Sequence, residues 1–333
     1  MAKTSGQKTK IIHILNFLRK YTDENHTLTT TQIQEKLSEL GITADRKTLY
    51  SDISCLTEMG YNIVQEPTRT GGGWKLVNRD FELAELKLLV DAVQSSRFIT
   101  TKKSRELIKK LGSLVSDYDS SKLNRQVYVA SRIKSENESI FYIVDSIHRA
   151  IQENKQISFT YLSWNISKEL VPKGKEKRIV SPWALIWNDE NYYLVAFDAE
   201  AEVFKHFRVD KMSKVNVLND KRLGQKAFSK YDIGSYADST FGMMGGKSEN
   251  IVLDFPESLV GVVIDRFGKD VSLSFGEDSR LRLRTKVVVS GQFFGWLSGL
   301  GTDCVIHSPA KVREDYIRWL KELVKKNESI KDQ

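Results

Sequence analysis

Cysteine is scarce: Cys55 and Cys304 are the two in 333 residues, far apart and without metal-like spacing. That excludes a disulfide framework and makes a reducing cytosol the simplest compartment. The five histidines, His13, His26, His148, His206 and His307, are scattered, and no pair has metal-ligand spacing. No metal or other cofactor is expected. No apolar run approaches membrane-span length, and Met1-Ala2-Lys3-Thr4 leads into no apolar leader, so a soluble, cytoplasmic protein is expected. Catalytic signatures are missing as well: there is no Gly-x-Ser-x-Gly and no carboxylate pair at motif spacing. Gly71-Gly72-Gly73 precedes an extended segment and not a helix, which makes it a hairpin tip rather than a phosphate cradle. Catalysis is therefore set aside as the main function, and a DNA-modifying enzyme lacks the residues to act.

What remains is a globular chain with a basic bias. Apolar content of 40% with 10% aromatic residues is that of a folded protein, and the length implies two or three domains. A formal charge of +8 and a pI near 9.2 favour polyanionic partners as a tendency.

The most informative stretch is 29–77. Ile33, Leu37 and Leu40 form a helical stripe, opened by Thr29 and Gln32 at capping-box spacing and closed by Gly41. A second helix carries Leu49, Ile53 and Leu56 on one face, with Met59 extending it. Arg46, Lys47, Thr48, Tyr50 and Ser51 occupy its opening turns off that face. Residues 61–65 and 74–77 read as the arms of a hairpin around the glycine tip, flanked by Arg69 and Lys75. Helix, tight turn, helix and hairpin make a winged helix-turn-helix. The N-terminal turn of its second helix reaches base edges in the major groove, and cations at the wing meet phosphate. The DNA-contacting candidates are thus Arg46, Lys47, Thr48, Tyr50, Ser51, Arg69 and Lys75. A small helical bundle with a merely solvated polar face is the alternative; the order of cap, glycine turn, basic first turn and wing favours DNA.

Ahead of this unit, Ile11, Ile12, Leu15 and Leu18 predict a supporting helix, with Lys3, Lys8 and Lys10 as a short basic arm. From Asp80 the pattern is helical: Phe81, Leu83, Leu86, Leu89, Val90 and Val93, then Leu107, Ile108, Leu111, Leu114 and Val115, with 117–123 as a loop. Phe141, Val144, Ile147, His148 and Ile151 predict a third helix. The period then drops to two: strands are expected at 157–162, 178–187, 192–197 and 203–209, joined by short turns into a small antiparallel barrel. Residues 168–177 read as a solvated loop, and 239–248, with Gly242, Gly245 and Gly246, as a boundary. Beyond lie strands at 251–255, 270–275 and 280–289 and helices near 258–266, 292–300 and 312–325, an α+β domain. The expected organisation is 1–79 for the DNA reader, 80–138 for a helical linker, 139–238 for the barrel and 249–333 for the C-terminal domain.

Ser181-Pro182-Trp183-Ala184-Leu185, then Asn191-Tyr192-Tyr193-Leu194-Val195, then His206-Phe207-Arg208-Val209-Asp210-Lys211-Met212 resemble the WYL-domain transcriptional regulators of bacteria. Asp45-Arg46-Lys47-Thr48-Leu49-Tyr50-Ser51-Asp52-Ile53 suits that family's winged helix. Phe294-Gly295-Trp296-Leu297, Leu300-Gly301 and Ser308-Pro309 suit its C-terminal extension domain. The chain departs from the pattern twice: Tyr192 stands where the family's name-giving Trp would, and Lys211 replaces the second Arg of Arg-x-x-Arg. The latter keeps the charge and loses the planar fork.

The resemblance implies a Sm-like or SH3-like barrel that senses a nucleotide-like or single-stranded nucleic-acid ligand. Aromatics beside cations suit that chemistry, at about 1–3 kcal/mol per stacked base. The candidates are Tyr161, Arg178, Tyr193, Lys205, His206, Arg208 and Lys211. Trp183, Tyr192 and Leu194 read equally well as core, and Tyr161 and Tyr193 as packed rings with capped hydroxyls. Strict alternation puts Lys205 and Arg208 on opposite faces unless the strand ends near Phe207. Arg280, Arg282, Arg284 and Lys286 alternate with Leu281, Leu283 and Thr285. This is either a half-buried sheet with a solvated face or, as the family likeness implies, a face whose Arg282 and Arg284 close over an anionic ligand in a homodimer. The function expected is ligand-responsive transcription regulation on double-stranded DNA. The alternative is a nucleic-acid-binding accessory module of another enzyme machine, which would prefer single strands.

Overall fold

The first helix, α1 (Lys3–Tyr21), begins well before Ile11 and absorbs Lys8 and Lys10 into its body. Lys10 is thus no part of a free basic arm. Its side chain is 7% exposed, and its ammonium lies 2.7 Å from Asp52. The computed structural model describes residues 3–68, 71–123, 134–174, 176–229, 234, 239–243, 245–276 and 280–330. They form two units, Met1–Glu138 and Ser139–Gln333.

In the first unit a short strand, β1 (Leu28–Thr29), leads into α2 (Thr30–Glu39) through the capping box the spacing predicts. The Gln32 backbone N–H donates to the Thr29 hydroxyl (3.2 Å), and the Thr29 N–H donates to the Gln32 carboxamide (2.8 Å). Gly41, at φ +72°, makes the left-handed turn that ends the helix. Asp45 then caps α3 (Arg46–Glu58), its carboxylate accepting from the Thr48 N–H at 2.8 Å. Strands β2 (Ile63–Thr68) and β3 (Gly71–Leu76) form an antiparallel hairpin, and β1 adds to β3 in the order β1-β3-β2. Ile14, Leu18, Ile33, Leu37, Leu49, Ile53 and Leu56 fill the core between helices and sheet. Leu40 and Met59, predicted to extend the apolar faces, are exposed because both helices turn off there.

The same unit continues with α4 (Leu83–Ser95), α5 (Thr101–Gly112) and α6 (Asp117–Leu123), packed around Leu86, Val90, Val115 and Leu123. The last is a correction, since 117–123 reads as a loop. Its Asp and Ser residues are start signals instead: the Asp119 N–H donates to the Ser116 hydroxyl at 3.0 Å, and Asp117 and Asp119 suit the positive end of the helix dipole. Ser116 also donates to buried Asp23 at 2.8 Å. The Asp23 carboxylate receives His26 Nδ1 at 2.6 Å, and the His26 ring stacks on Tyr118 at 3.7 Å with 2° between planes. One carboxylate therefore ties the loop after α1 to α6.

The second unit starts with α7 (Ile140–Gln152), whose buried stripe is Ile140, Ile143, Ile147 and Ala150, displaced from the predicted Phe141, Val144 and His148. Six strands follow: β4 (Lys155–Trp164), β5 (Leu170–Pro172), β6 (Arg178–Asn188), β7 (Asn191–Asp198), β8 (Val203–Arg208) and β9 (Met212–Lys221). Two of them correct the sequence reading. β5 lies in the supposed loop 168–177, and β9 was unanticipated, its alternation being mostly polar. The antiparallel order is β5-β4-β6-β7-β8, with β9 also on β4. Only the 3₁₀ turn Val209–Lys211 separates β8 from β9. Three residues of 3₁₀ helix rise about 6 Å, whereas a flat sheet would set these strands about 19 Å apart. The sheet must therefore curl until its ends meet. No β8–β9 ladder closes it among the described residues, so it is a half-barrel and not the full barrel expected.

A short helix, α8 (Gln225–Phe228), precedes the C-terminal part. There β10 (Lys247–Phe255), β11 (Ser272–Phe275), β12 (Leu281–Val289) and β13 (Val305–Ser308) form a sheet ordered β11-β12-β10-β13. Helices α9 (Val260–Phe267), α10 (Gly291–Gly299) and α11 (Ala310–Glu328) accompany it around Phe255, Leu283, Phe293, Leu297 and Ile306. No helix among the described residues is long and apolar enough to cross a membrane.

Burial disfavours ionised Asp23, but hydrogen bonds from Ser116, His26 and the Asn25 backbone outweigh it and hold the carboxyl below its ordinary pKa. A depressed carboxyl stabilises the fold above its unfolded pKa and loses that contribution as pH falls through the folded one. Asp23→Ala is expected to cost about 1–3 kcal/mol at pH 7, because Ser116 and His26 lose a buried partner. In urea unfolding, the gap to wild type should narrow as the solution is acidified through the carboxylate range. A gap that persists unchanged in acid contradicts this.

Candidate nucleic-acid interface and ligand surface

The candidate interface in the first unit is built on the start of α3. Burying Leu49, Ile53 and Leu56 turns Arg46, Lys47, Thr48 and Ser51 outward, and all four are exposed. Thr48 returns its hydroxyl to the Asp45 carbonyl at 3.0 Å, which spends that donor on the cap. Tyr50, half-buried, is a strut between helix and hairpin. Its ring meets Trp74 of β3 edge-on at 5.2 Å, and its hydroxyl accepts from Arg46 (3.3 Å) and Gln65 (3.4 Å). Hydrogen bonds from Arg46, Gln65 and Thr30 hold the phenol below its ordinary pKa. Arg46 is thereby aimed by the hairpin, a role for Gln65 and Trp74 that the sequence pattern does not disclose. Lys75 is drawn inward, 2.5 Å from Glu66 and 3.1 Å from the Glu24 carbonyl, with 12% of its side chain exposed. Arg69 lies outside the described residues.

In the second unit the curl brings Tyr161 of β4, Arg178 of β6, Tyr193 of β7 and Arg208 of β8 to one end of the sheet. Tyr161 accepts the Arg208 backbone N–H at 3.2 Å, and its ring packs against Phe159 and Phe207. The Arg178 guanidinium stands 5.9 Å from both the Tyr161 and Phe207 ring centroids and donates to the Lys173 carbonyl at 2.8 Å. Its Nε is buried with no hydrogen-bond partner among the described residues. Burial raises the pKa of Tyr161 and Tyr193, so both stay protonated. Arg208 is held by a fork to both oxygens of Asp210 (3.0 and 2.8 Å) and by Asn191 at 2.9 Å. Asp210 and Asn191 lie within the family-like motifs, yet nothing in their spacing marks them as the guanidinium's holders.

Lys205 and Arg282 are engaged elsewhere. Lys205 pairs with Asp198 at 2.5 Å, toward the other end of β8. Strand β8 does end at Arg208, with Lys211 closing the 3₁₀ turn beyond it. Trp183 is a packing residue, stacked on Phe228 at 4.4 Å and covered by Arg222 at 4.1 Å. In the C-terminal sheet, β12 alternates as predicted: Leu281, Leu283 and Val287 are buried, and Arg284 and Lys286 are exposed. Arg282 is bound in a fork to Asp254 (2.7 and 2.9 Å), with His307 Nδ1 3.1 Å from the same carboxylate. Among the described residues no group of three or more His, Cys, Asp or Glu is placed to hold a metal ion.

A curled antiparallel sheet followed by a four-stranded α+β domain defines the class. Residues 142–217 match the WYL domain and residues 247–324 the WCX domain, so the chain is a WYL-domain protein. No curated protein matches it. Among solved structures it is similar to the proteasome accessory factor B/C (PafBC) of Arthrobacter aurescens at 17% identity, covering 98% of this chain and 48% of that one, with a TM-score of 0.28. It is also similar to a CRISPR Cas-related protein at 17% identity, covering 98% of this chain and 86% of the other, with a TM-score of 0.36. The chain thus spans about half the length of PafBC. Both overlays are loose, and the family assignment rests on the two domain matches.

His206, opposite Val195 in the β7–β8 ladder, is pushed down to a pKa of about 4 by burial. At pH 7 it offers a ligand a neutral imidazole and no charge. Between its unfolded value of 6.5 and about 4 the unfolded chain binds a proton that the folded chain refuses, so stability falls as pH drops across that window. An NMR titration should show one histidine with a midpoint near 4, absent in His206→Leu. A His206 midpoint near 6.5 contradicts the desolvation of this half-buried ring.

Proposed function

We propose that the chain is a transcription regulator that binds duplex DNA through a winged helix-turn-helix and senses a nucleotide-like or single-stranded nucleic-acid ligand at its curled sheet. The observation that carries the reading is the opening turn of α3, which presents Arg46, Lys47 and Ser51 outward beside the β2–β3 hairpin. A helix start with cations and a hydroxyl off its apolar face suits the major groove, and the hairpin is the wing. Family membership supports regulation as the task. For the ligand, the support is Arg178 over Tyr161 and Phe207: an aromatic platform beside a cation with no carboxylate partner among the described residues. Recognition of paired half-sites makes a homodimer the working form, and a cytoplasmic location follows from the task. The 80–138 helices would carry ligand state to the DNA heads. That requires the ligand to bind one arrangement better than the other.

The test is fluorescence anisotropy on duplex and single-stranded DNA at stated salt. Arg46→Ala with Lys47→Ala should weaken duplex binding by roughly 10- to 100-fold and lower the salt slope by about 1–2. Tyr50→Phe, which frees Arg46 without removing it, should cost a few-fold, about 1 kcal/mol. Arg178→Ala should spare duplex binding and weaken single-stranded or nucleotide ligands. Duplex binding untouched by the double substitution contradicts the assignment of α3.

A further inference from the structure

The second unit holds a cavity that the foregoing leaves unused. It has a volume of about 630 Å³, within the usual range for small-molecule sites. The β6–β7 turn supplies Asn188 and Asp189 to it, the segment before β10 supplies Phe241 and Gly242, α9 supplies Arg266, and α10 supplies Gly291, Gln292, Gly295 and Trp296.

Three features define what fits there. One wall is aromatic and rigid. Phe241 and Trp296 lie 5.2 Å apart, and the Arg266 guanidinium stacks 4.1 Å over Phe241 while donating to the Thr240 carbonyl at 2.5 Å. A second wall is bare backbone: Gly291 and Gly295, one turn apart on α10, line the cavity, and a Cβ on either would meet nothing within 4 Å. A flat ring can lie against that helix where a side chain would hold it off. The third is a supply of acceptors. Asn188 Oδ1 is buried with no hydrogen-bond partner among the described residues, the next residue adds the Asp189 carboxylate, and Gln292 adds a carboxamide. A buried acceptor without a donor is unfavourable, and a ligand N–H relieves it. The lining charges, Arg266 and Asp189, cancel, so the cavity has none of the cationic surplus that a phosphate requires.

We propose that this cavity binds an uncharged, planar, amino-bearing nitrogen heterocycle of purine size, stacked on Trp296 with Phe241 tilted 45° behind it, and donating N–H groups to Asn188 and Asp189. The cavity shares no lining residue with the proposed DNA interface or with the Arg178–Tyr161 pair.

The experiment is calorimetric titration of the full chain with guanosine, adenosine and uridine, the last lacking an exocyclic amine. An aminopurine nucleoside should saturate the protein and bind at least about tenfold more tightly than uridine. Gly295→Leu fills the cavity, and binding should fall by at least about tenfold. Leu is the better helix former, so the melting temperature should hold or rise. Asn188→Leu removes the buried acceptor without breaking a described hydrogen bond of its side-chain oxygen, and should weaken binding by roughly tenfold as an independent check. Arg46→Ala with Lys47→Ala should bind the nucleoside like wild type, which separates this site from DNA binding. Absence of saturable binding, an equal preference for uridine, or binding that survives both cavity substitutions overturns the proposal.

Discussion

The second unit depends on a short connection. Val209–Lys211 must carry the chain from one end of a sheet to the other, and it is long enough only if the sheet curls. The hydrogen bond from the Arg208 N–H to the Tyr161 hydroxyl fastens the two ends where they meet. Everything chemically notable at that end follows from this closure. Phe207 is pressed between Phe159 and Tyr161, Arg178 comes over the rings, and Arg208 reaches Asn191 on the neighbouring strand. Without the curl these residues lie on strands too far apart to meet, and the sheet has no platform to offer a ligand.

A surplus of cations does not by itself make a surface for anions. A charge is available to a partner only so far as the fold has not already neutralised it. Lys10, Lys75, Lys205, Arg208 and Arg282 each sit against a carboxylate, so they act first as struts. The Arg208–Asp210 and Arg282–Asp254 forks have the geometry that makes such pairs strong. Arg46 is aimed by a neutral phenol and Arg178 by a backbone carbonyl, and both keep their full charge for a partner. Among these cations, the sorting sets Arg46 and Arg178 apart as charges not spent on a carboxylate.

How much the sequence disclosed varies with how local the signal was. The Thr29–Gln32 capping box, the Gly41 stop and the apolar faces of α2 and α3 are all written within a turn or two of chain, and the structure shows each. The WYL-like motifs identified the family for the same reason. What was hidden depends on distant partners. Strand β9 has little apolar signal of its own and exists because β4 offers it an edge. The 117–123 helix was masked by Asp and Ser, which favour loops and helix starts alike until Ser116 is seen in its capping place. Fractional engagement of the cations was equally illegible. No spacing rule links Arg282 to Asp254 or Lys10 to Asp52, since those partners come from other elements of the fold.

The central claim is that the α3 turn reads duplex DNA for regulation. It is tested most directly by selecting duplexes from fragmented genomic DNA of the host at moderate, stated salt, because phosphate contacts make raw affinity salt-dependent. The account predicts enrichment of an inverted repeat with half-sites about one helical turn apart, lost when Arg46 and Lys47 are replaced. A pool that stays unenriched while the protein retains single strands would contradict it and move the function to the curled sheet.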